Sequence, residues 1–294
     1  MNLLNLNIPS PLEELIDPII SEKEVSVFVK RDDLIHPYIT GNKWRKLKKY
    51  IQIFEESKKK GILSFGGAYS NHIMALAFVG NLLNIPMIGI IRGNELNKKS
   101  NRQLQLIDSL GMKLIFISRE EYKKKNIPIN LELKDYLIIP EGGYSKIGVD
   151  SIKELAEELE KENSTYIITA VGTGTTAIGL AKFLSSKIIG ILSLKNKAEI
   201  MQNELNQLGQ NKIEILEDYS EKSYGKFDIQ LNAFSEKFTL EKKIPVEKMY
   251  TGKMFYALFD LIQKDYFPKG SKIIAIHTGG VYPTDPSNEI ANNF

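Results

Sequence analysis

Lys43 follows Gly41-Asn42 in ITGNKWRKLKKY, at the point where a helix is expected to begin. An amine there meets the positive end of the helix macrodipole, a poor place for a decorative charge. It is a useful place for an amine that must lose its proton to form an imine. Lys46, Lys48 and Lys49 read as the solvated face of the same helix. A second segment, YIITAVGTGTTAIGLAKFL, runs from a strand through Gly172-Thr173-Gly174-Thr175-Thr176 straight into a helix. Its glycines let backbone N–H groups approach a ligand, the helix start favours an anion, and the hydroxyls add donors. A plain glycine turn with a threonine cap is the alternative reading. The loose pattern Gly172-x-Gly174-x-x-Ala177 is followed by KIIGILSLKN, which ends without an acidic residue for a ribose. There is no Gly-Lys-Ser/Thr either, so a phosphate monoester suits the turn better than a nucleotide.

ILSFGGAYSNHIMALAF repeats the strand–glycine–helix design, with Ser70-Asn71-His72 at the helix start. Ser70 reads either as a helix cap or as a donor to a carboxylate brought close by Gly66-Gly67. Further candidates are Glu141-Gly142-Gly143-Tyr144-Ser145, Tyr224-Gly225-Lys226, Tyr250-Thr251-Gly252-Lys253 and His277-Thr278-Gly279-Gly280. Each alone is more often a turn than a site.

These residues need elements to hold them. Strands are expected at 25–30, 62–67, 86–91, 113–118, 136–140, 166–171, 187–193 and 272–280. Amphipathic helical patterns separate them, at WRKLKKYIQIFEES, HIMALAFVGNLL, NRQLQLIDSLG, VDSIKELAEELEKE, TAIGLAKFLSS, AEIMQNELNQLG and GKMFYALFDLIQKD. Apolar strands alternating with such helices predict an α/β protein, its mostly parallel, twisted sheets covered by helices on both faces. The segment 50–150 holds enough alternations for a small domain of its own, leaving 1–49 and 151–294 as a larger one. The active site is then expected in the cleft between them, beyond the carboxyl ends of strands.

Composition narrows the chemistry. The 294 residues suffice for about two domains. Lys+Arg 39 against Asp+Glu 36 leaves a net charge of +3, too small and too evenly spread for a nucleic-acid binder. With no cysteine, disulfides, zinc–thiolate centres and Cys nucleophiles are excluded. His36, His72 and His277 lack metal-ligand spacing, so no metal site is expected. The N-terminal MNLLNLNIPSPLEELIDP lacks the pattern of a secretory signal, and no apolar run is long enough to span a membrane. A soluble, cytoplasmic protein is expected, with no membrane partner.

Taken in order, KRDDLIHPYITGNKWRKL, SFGGAYSNH, PEGGYS, VGTGTT, YTGK and HTGG resemble one family, over nearly the whole chain. It is the pyridoxal-phosphate-dependent 1-aminocyclopropane-1-carboxylate deaminase/D-cysteine desulfhydrase family, with the fold of the tryptophan synthase β-subunit (fold type II). The resemblance implies pyridoxal 5′-phosphate as cofactor and Lys43 as the lysine that binds it as an imine. It implies Asn71 on the pyridine 3′-oxygen, and Thr173, Gly174, Thr175 and Thr176 around the phosphate. Ser70 matches a serine facing the substrate carboxylate and Cα, and Tyr250 an active-site tyrosine. Tyr224 matches a second tyrosine, although SEKSYGKF departs from the usual glycine-rich lead. His72 stands where the family often has glutamine. Thr251 stands where the cyclopropane-opening deaminases carry a glutamate placed to keep the ring nitrogen protonated. A threonine there makes the ring a weaker electron sink, which favours loss of thiolate over ring opening. The expected activity is elimination on D-cysteine by a homodimer, giving pyruvate, hydrogen sulfide and ammonia. Deamination of 1-aminocyclopropane-1-carboxylate to 2-oxobutanoate and ammonia is the alternative. A non-catalytic phosphate-ligand or nucleotide-binding protein on the same turns is the alternative outside that class.

Overall fold

The computed structural model describes residues 5–39, 41–127, 132–193, 212–219 and 229–282. The expected helix AEIMQNELNQLG and Tyr224 lie outside the described residues. In chain order the strands are β1 (Leu12–Glu14), β2 (Ser26–Lys30), β3 (Gly61–Gly66), β4 (Met87–Arg92), β5 (Lys113–Ile117), β6 (Tyr136–Ile139), β7 (Tyr166–Val171), β8 (Lys187–Leu192), β9 (Ile213–Leu216) and β10 (Lys272–Ile276). The helices are α1 (Pro18–Glu22), α2 (Asn42–Glu55), α3 (Asn71–Leu83), α4 (Arg102–Ser109), α5 (Arg119–Lys124), α6 (Lys146–Asp150), α7 (Lys153–Glu160), α8 (Thr175–Phe183), α9 (Ile229–Lys242) and α10 (Thr251–Gln263). The single helix expected over VDSIKELAEELEKE is two, α6 and α7. No helix among the described residues is long and apolar enough to cross a membrane.

The chain divides into two compact units, Met1–Leu6 with Lys43–Gly148 and Asn7–Asn42 with Val149–Phe294. The first is built on a four-stranded, all-parallel sheet in the order β5-β4-β3-β6. Every residue of β3 is buried, as a strand covered on both faces requires, so its sequence reads as a near-continuous apolar run. Leu63, Phe65, Ile88, Ile90, Ile117 and Tyr122 form a core on this sheet. The second unit has a six-stranded sheet in the order β1-β2-β10-β7-β8-β9, parallel except where β1 runs antiparallel along β2. Its core gathers Val27, Ile168, Ile189, Phe255, Leu258 and Ala275, among others.

One turn of the second unit decides where α2 begins. Gly41 adopts a left-handed φ of +62°, and a Cβ there would stand 1.9 Å from the carbonyl oxygen of Thr278, just past β10. That proximity lets Gly41 N–H donate to Asp32 O at 2.9 Å and Asn42 N–H to Thr278 O at 3.3 Å. Asp32 is itself fully buried and accepts from Ser10 Oγ at 2.7 Å. Gly41→Ala adds both the left-handed strain and the clash with Thr278, and is expected to destabilise the protein by about 2–4 kcal/mol. A urea titration against the wild type measures it; an unchanged midpoint would show that the turn is not constrained as described.

Candidate active site

In the first unit the candidate residues gather at two helix starts. Lys43 is the second residue of α2 and half-buried. One turn on, Lys46 is only 4% exposed, which corrects its reading as part of a solvated face; Lys49 is exposed and Lys48 half-buried. The spacing i, i+3 puts Lys46 on the face that carries Lys43. Its aliphatic stem packs where Gly143 has no side chain, since a Cβ there would stand 3.4 Å from Lys46 Cβ. The Lys46 amine points to Gly142 O at 3.4 Å, a long contact. Burial, and then the charge of Lys43, hold its pKa well below the ordinary lysine value. A buried amine beside another amine is a place for an anion or for proton transfer.

At the start of α3, Ser70 is the N-cap, its Oγ accepting from Ile73 N–H at 3.3 Å. Asn71 follows as the first helical residue, half-buried. His72 is 2% exposed, and its Nε2 lies 2.8 Å from Ser64 Oγ on β3. Burial first, then the charges of Lys43 and Lys46, lower its pKa to about 3.

The second unit holds the glycine turn. Gly174 caps α8 from a left-handed φ of 80° and offers no side chain to the first-turn amides of that helix. Thr173 Oγ1 and Thr175 Oγ1 share a hydrogen bond of 3.1 Å, and Thr175 and Thr176 are buried. Asn42 Nδ2 donates to Thr176 Oγ1 at 2.9 Å, tying the residue before Lys43 to this helix. The ring of Tyr250 lies over Gly172, where a Cβ would stand 3.1 Å from Tyr250 Cε1. An uncapped helix start, a cradle that a side chain would fill, and clustered hydroxyls fit a phosphate-bearing group.

Tyr250 and Thr251 are set by a residue that sequence reading missed. The Glu247 carboxylate accepts from the N–H groups of Met249 (2.7 Å), Tyr250 (2.8 Å) and Thr251 (2.7 Å). Its carbonyl accepts from Gly252 N–H at 2.8 Å, so one residue satisfies the first two amides of α10. The fully buried Thr251 accepts Glu247 N–H at 3.1 Å, and its hydroxyl lies 3.2 Å from Glu247 Oε1, to which it donates. Burial raises the Glu247 pKa against the pull of these bonds. The signal was an acid four residues before the threonine of a helix start. His277, by contrast, is structural: fully buried, it pairs Nε2 with Pro245 O at 2.7 Å and accepts Gly279 N–H at Nδ1.

The family described as "Pyridoxal-phosphate dependent enzyme" matches residues 4–279 of this chain. A "Putative 1-aminocyclopropane-1-carboxylate deaminase" of Pyrococcus horikoshii is 31% identical, over 88% of this chain and 85% of its own length. The "Bifunctional D-cysteine desulfhydrase/1-aminocyclopropane-1-carboxylate deaminase, mitochondrial" of Arabidopsis thaliana is 28% identical, over 87% of this chain and 72% of its own length. Among solved structures, "Crystal Structure Analysis of the ACC deaminase homologue" superposes with a TM-score of 0.76 at 25% identity, covering 97% of this chain and 94% of that one.

Substitutions at two residues test this geometry. Glu247→Ala leaves three amides without their acceptor and should cost about 2 kcal/mol, seen as a lower urea midpoint. Glu247→Gln, which keeps one acceptor oxygen, should lose less; equal losses would mean that the amides do not depend on the carboxylate. For His72 the folded pKa of about 3 lies below the unfolded 6.5, so between those values the unfolded chain binds the extra proton. Its contribution is fully present above pH 6.5 and lost as pH falls toward 3, by up to about 1.4 kcal/mol per pH unit. His72→Gln cannot titrate, so its stability relative to wild type should improve steadily from pH 6.5 to 4. A constant difference over that range would place the imidazole in water.

Proposed function

The chain belongs to the pyridoxal-phosphate dependent enzymes, and from that premise we propose that it eliminates thiol from D-cysteine to give pyruvate, hydrogen sulfide and ammonia. Bound pyridoxal phosphate supplies the electron sink for a carbanion at the substrate Cα. The protein supplies the rest. Lys43 carries the cofactor through its amine and, once released, takes the Cα proton. Thr173, Gly174, Thr175 and Thr176 hold the phosphate with amides and hydroxyls, and Asn71 holds the ring 3′-oxygen. Ser70 meets the substrate carboxylate, at a helix start that favours an anion. Tyr250, with Tyr224, completes the catalytic set.

The observation that carries the choice of thiol loss is Thr251. It brings no charge of its own, and its hydroxyl is already engaged by Glu247. A ring nitrogen facing a neutral partner is a modest sink, adequate for a good leaving group such as thiolate and less so for opening a cyclopropane. The deaminase activity in the names of both relatives makes conversion of 1-aminocyclopropane-1-carboxylate to 2-oxobutanoate the second reading.

Purified protein assayed for keto acid on D-cysteine, L-cysteine, D-serine and 1-aminocyclopropane-1-carboxylate side by side separates these readings. D-cysteine should give the highest kcat/KM, and Lys43→Ala should lose both turnover and the borohydride-reducible yellow chromophore while staying folded. A panel led by 1-aminocyclopropane-1-carboxylate would replace the first reading with the second. A colourless protein that cannot be reconstituted would point to a binding protein.

A further inference from the structure

The Ser70 hydroxyl bonds to Ile73 N–H of its own helix, so where it stands depends on the backbone that carries it. That backbone is the short turn from β3 into α3. Ser70 N–H donates to Gly67 O at 3.1 Å, and a Cβ on Gly66 would stand 2.6 Å from Ser70 Oγ. Two side chains at the start of α4 clasp this turn. Asn101 Nδ2 donates to Ala68 O at 3.2 Å, and Gln103 Nε2 donates to Ser70 O at 3.1 Å. A third amide, Asn81 Nδ2 on α3, donates to the α4 C-cap carbonyl, Leu110 O, at 3.2 Å. With Leu104 and Ile107 buried between these bonds, α4 is fastened to α3 at both of its ends.

The two amides that reach the turn differ in what else they do. Asn101 is also the N-cap of α4, its Oδ1 accepting Leu104 N–H at 2.8 Å, so losing it would loosen α4 itself. Gln103 is half-buried, already inside the helix, and orders a long side chain on one carbonyl. The rotamer freedom it gives up is comparable to what one such bond returns, so stability alone does not account for it. What the bond changes is one peptide unit. Ser70 O already accepts Met74 N–H at 3.1 Å, a bond of the first turn of α3. The other end of that peptide is Asn71 N–H, and a second donor on the oxygen orients and polarises the whole unit. We propose that Gln103 is a positioning residue: by holding Ser70 O it fixes the peptide 70–71, and with it where the Ser70 hydroxyl and the opening of α3 meet the substrate carboxylate. The proposal rests on the role given to Ser70 above.

The test uses the full-length protein and three substitutions. Gln103→Glu keeps the size but, ionised, offers only acceptors; Gln103→Leu offers nothing; Gln103→Lys restores a donor. In cofactor-free protein, amide hydrogen exchange is read at Ser70, Ile73 and Met74, whose N–H groups are bonded within the turn, with the amides of β7 as the control. Gln103→Glu and Gln103→Leu should each speed exchange at these three on the order of five-fold and leave β7 unchanged, and Gln103→Lys should recover it. In the reconstituted enzyme the two donor-free variants should raise KM for D-cysteine about 5–10-fold, with kcat within about two-fold of wild type and KM recovered by Lys. A glutamine that only fastens α4 would lower the urea midpoint and leave KM where it was. Unchanged exchange at the turn, exchange raised equally on β7, an unmoved KM, or a Lys variant no better than Leu overturns the proposal. If D-cysteine is not turned over, only the proposed substrate fails. The exchange result still decides whether Gln103 holds the turn, and the KM comparison passes to whichever amino acid of the panel is turned over.

Discussion

The hydrogen bond from Asn42 Nδ2 to Thr176 Oγ1, 2.9 Å long, joins residues 134 apart in sequence, and the placement of the first residue of α2 depends on it. It fixes Asn42 against the first turn of α8, whose amides open beside the glycine turn. Gly41 makes the bond possible, since a side chain there would strike Thr278 O and push Asn42 away. The chain thus uses a residue without a side chain to place the residue before a lysine. Nothing in the helix propensity of NKWRKL requires that position; the constraint comes from the end of β10, more than 230 residues later.

Within the first unit the electrostatics run one way. Lys43 and Lys46 share a helix face, Lys46 is buried, and the imidazole near them is neutral. The charge of Lys43 makes it harder for Lys46 to hold its proton. In a solvated face these charges would be screened and the effect would vanish. Burial acts on Lys46 in the same direction, loosening its hold on the proton. The neutral histidine adds no third charge to oppose the other two.

Much of this was legible in the sequence. Strands β3, β4, β7, β8 and β10 are apolar runs because both faces of a parallel sheet are covered, so burial marks them, whereas β2, β5 and β6, only partly buried, were marked by their β-branched and apolar residues. β1 and β9 were not marked; they are the edge strands of the second sheet, three and four residues long. α9 was missed because its apolar residues do not gather on one helical face. In the site, the glycine turn announced itself by residue type, and Lys43 by its place at a helix start. Lys46 did not, because a lysine in a lysine-rich helix reads as solvated until the packing of Gly143 beside it is known. Glu247 was invisible for a different reason. Its partners are backbone amides, which every residue has, so only the fold of 247–252 shows that one carboxylate serves three of them.

That arrangement bears on the chemistry through where charge is committed. A carboxylate near a cofactor ring can act as the counter-charge of a protonated nitrogen only if its oxygens are open to it. Both oxygens of Glu247 already receive backbone N–H groups, and one also receives the Thr251 hydroxyl. Burial raises its pKa even so, which means that the amides only partly offset the loss of water. The charge is thus consumed locally in holding the turn that seats Tyr250 over Gly172. What Thr251 presents beyond that turn is a side chain without charge, and a hydroxyl whose proton is taken. The negative charge of the second unit's turn is thus committed to holding backbone amides.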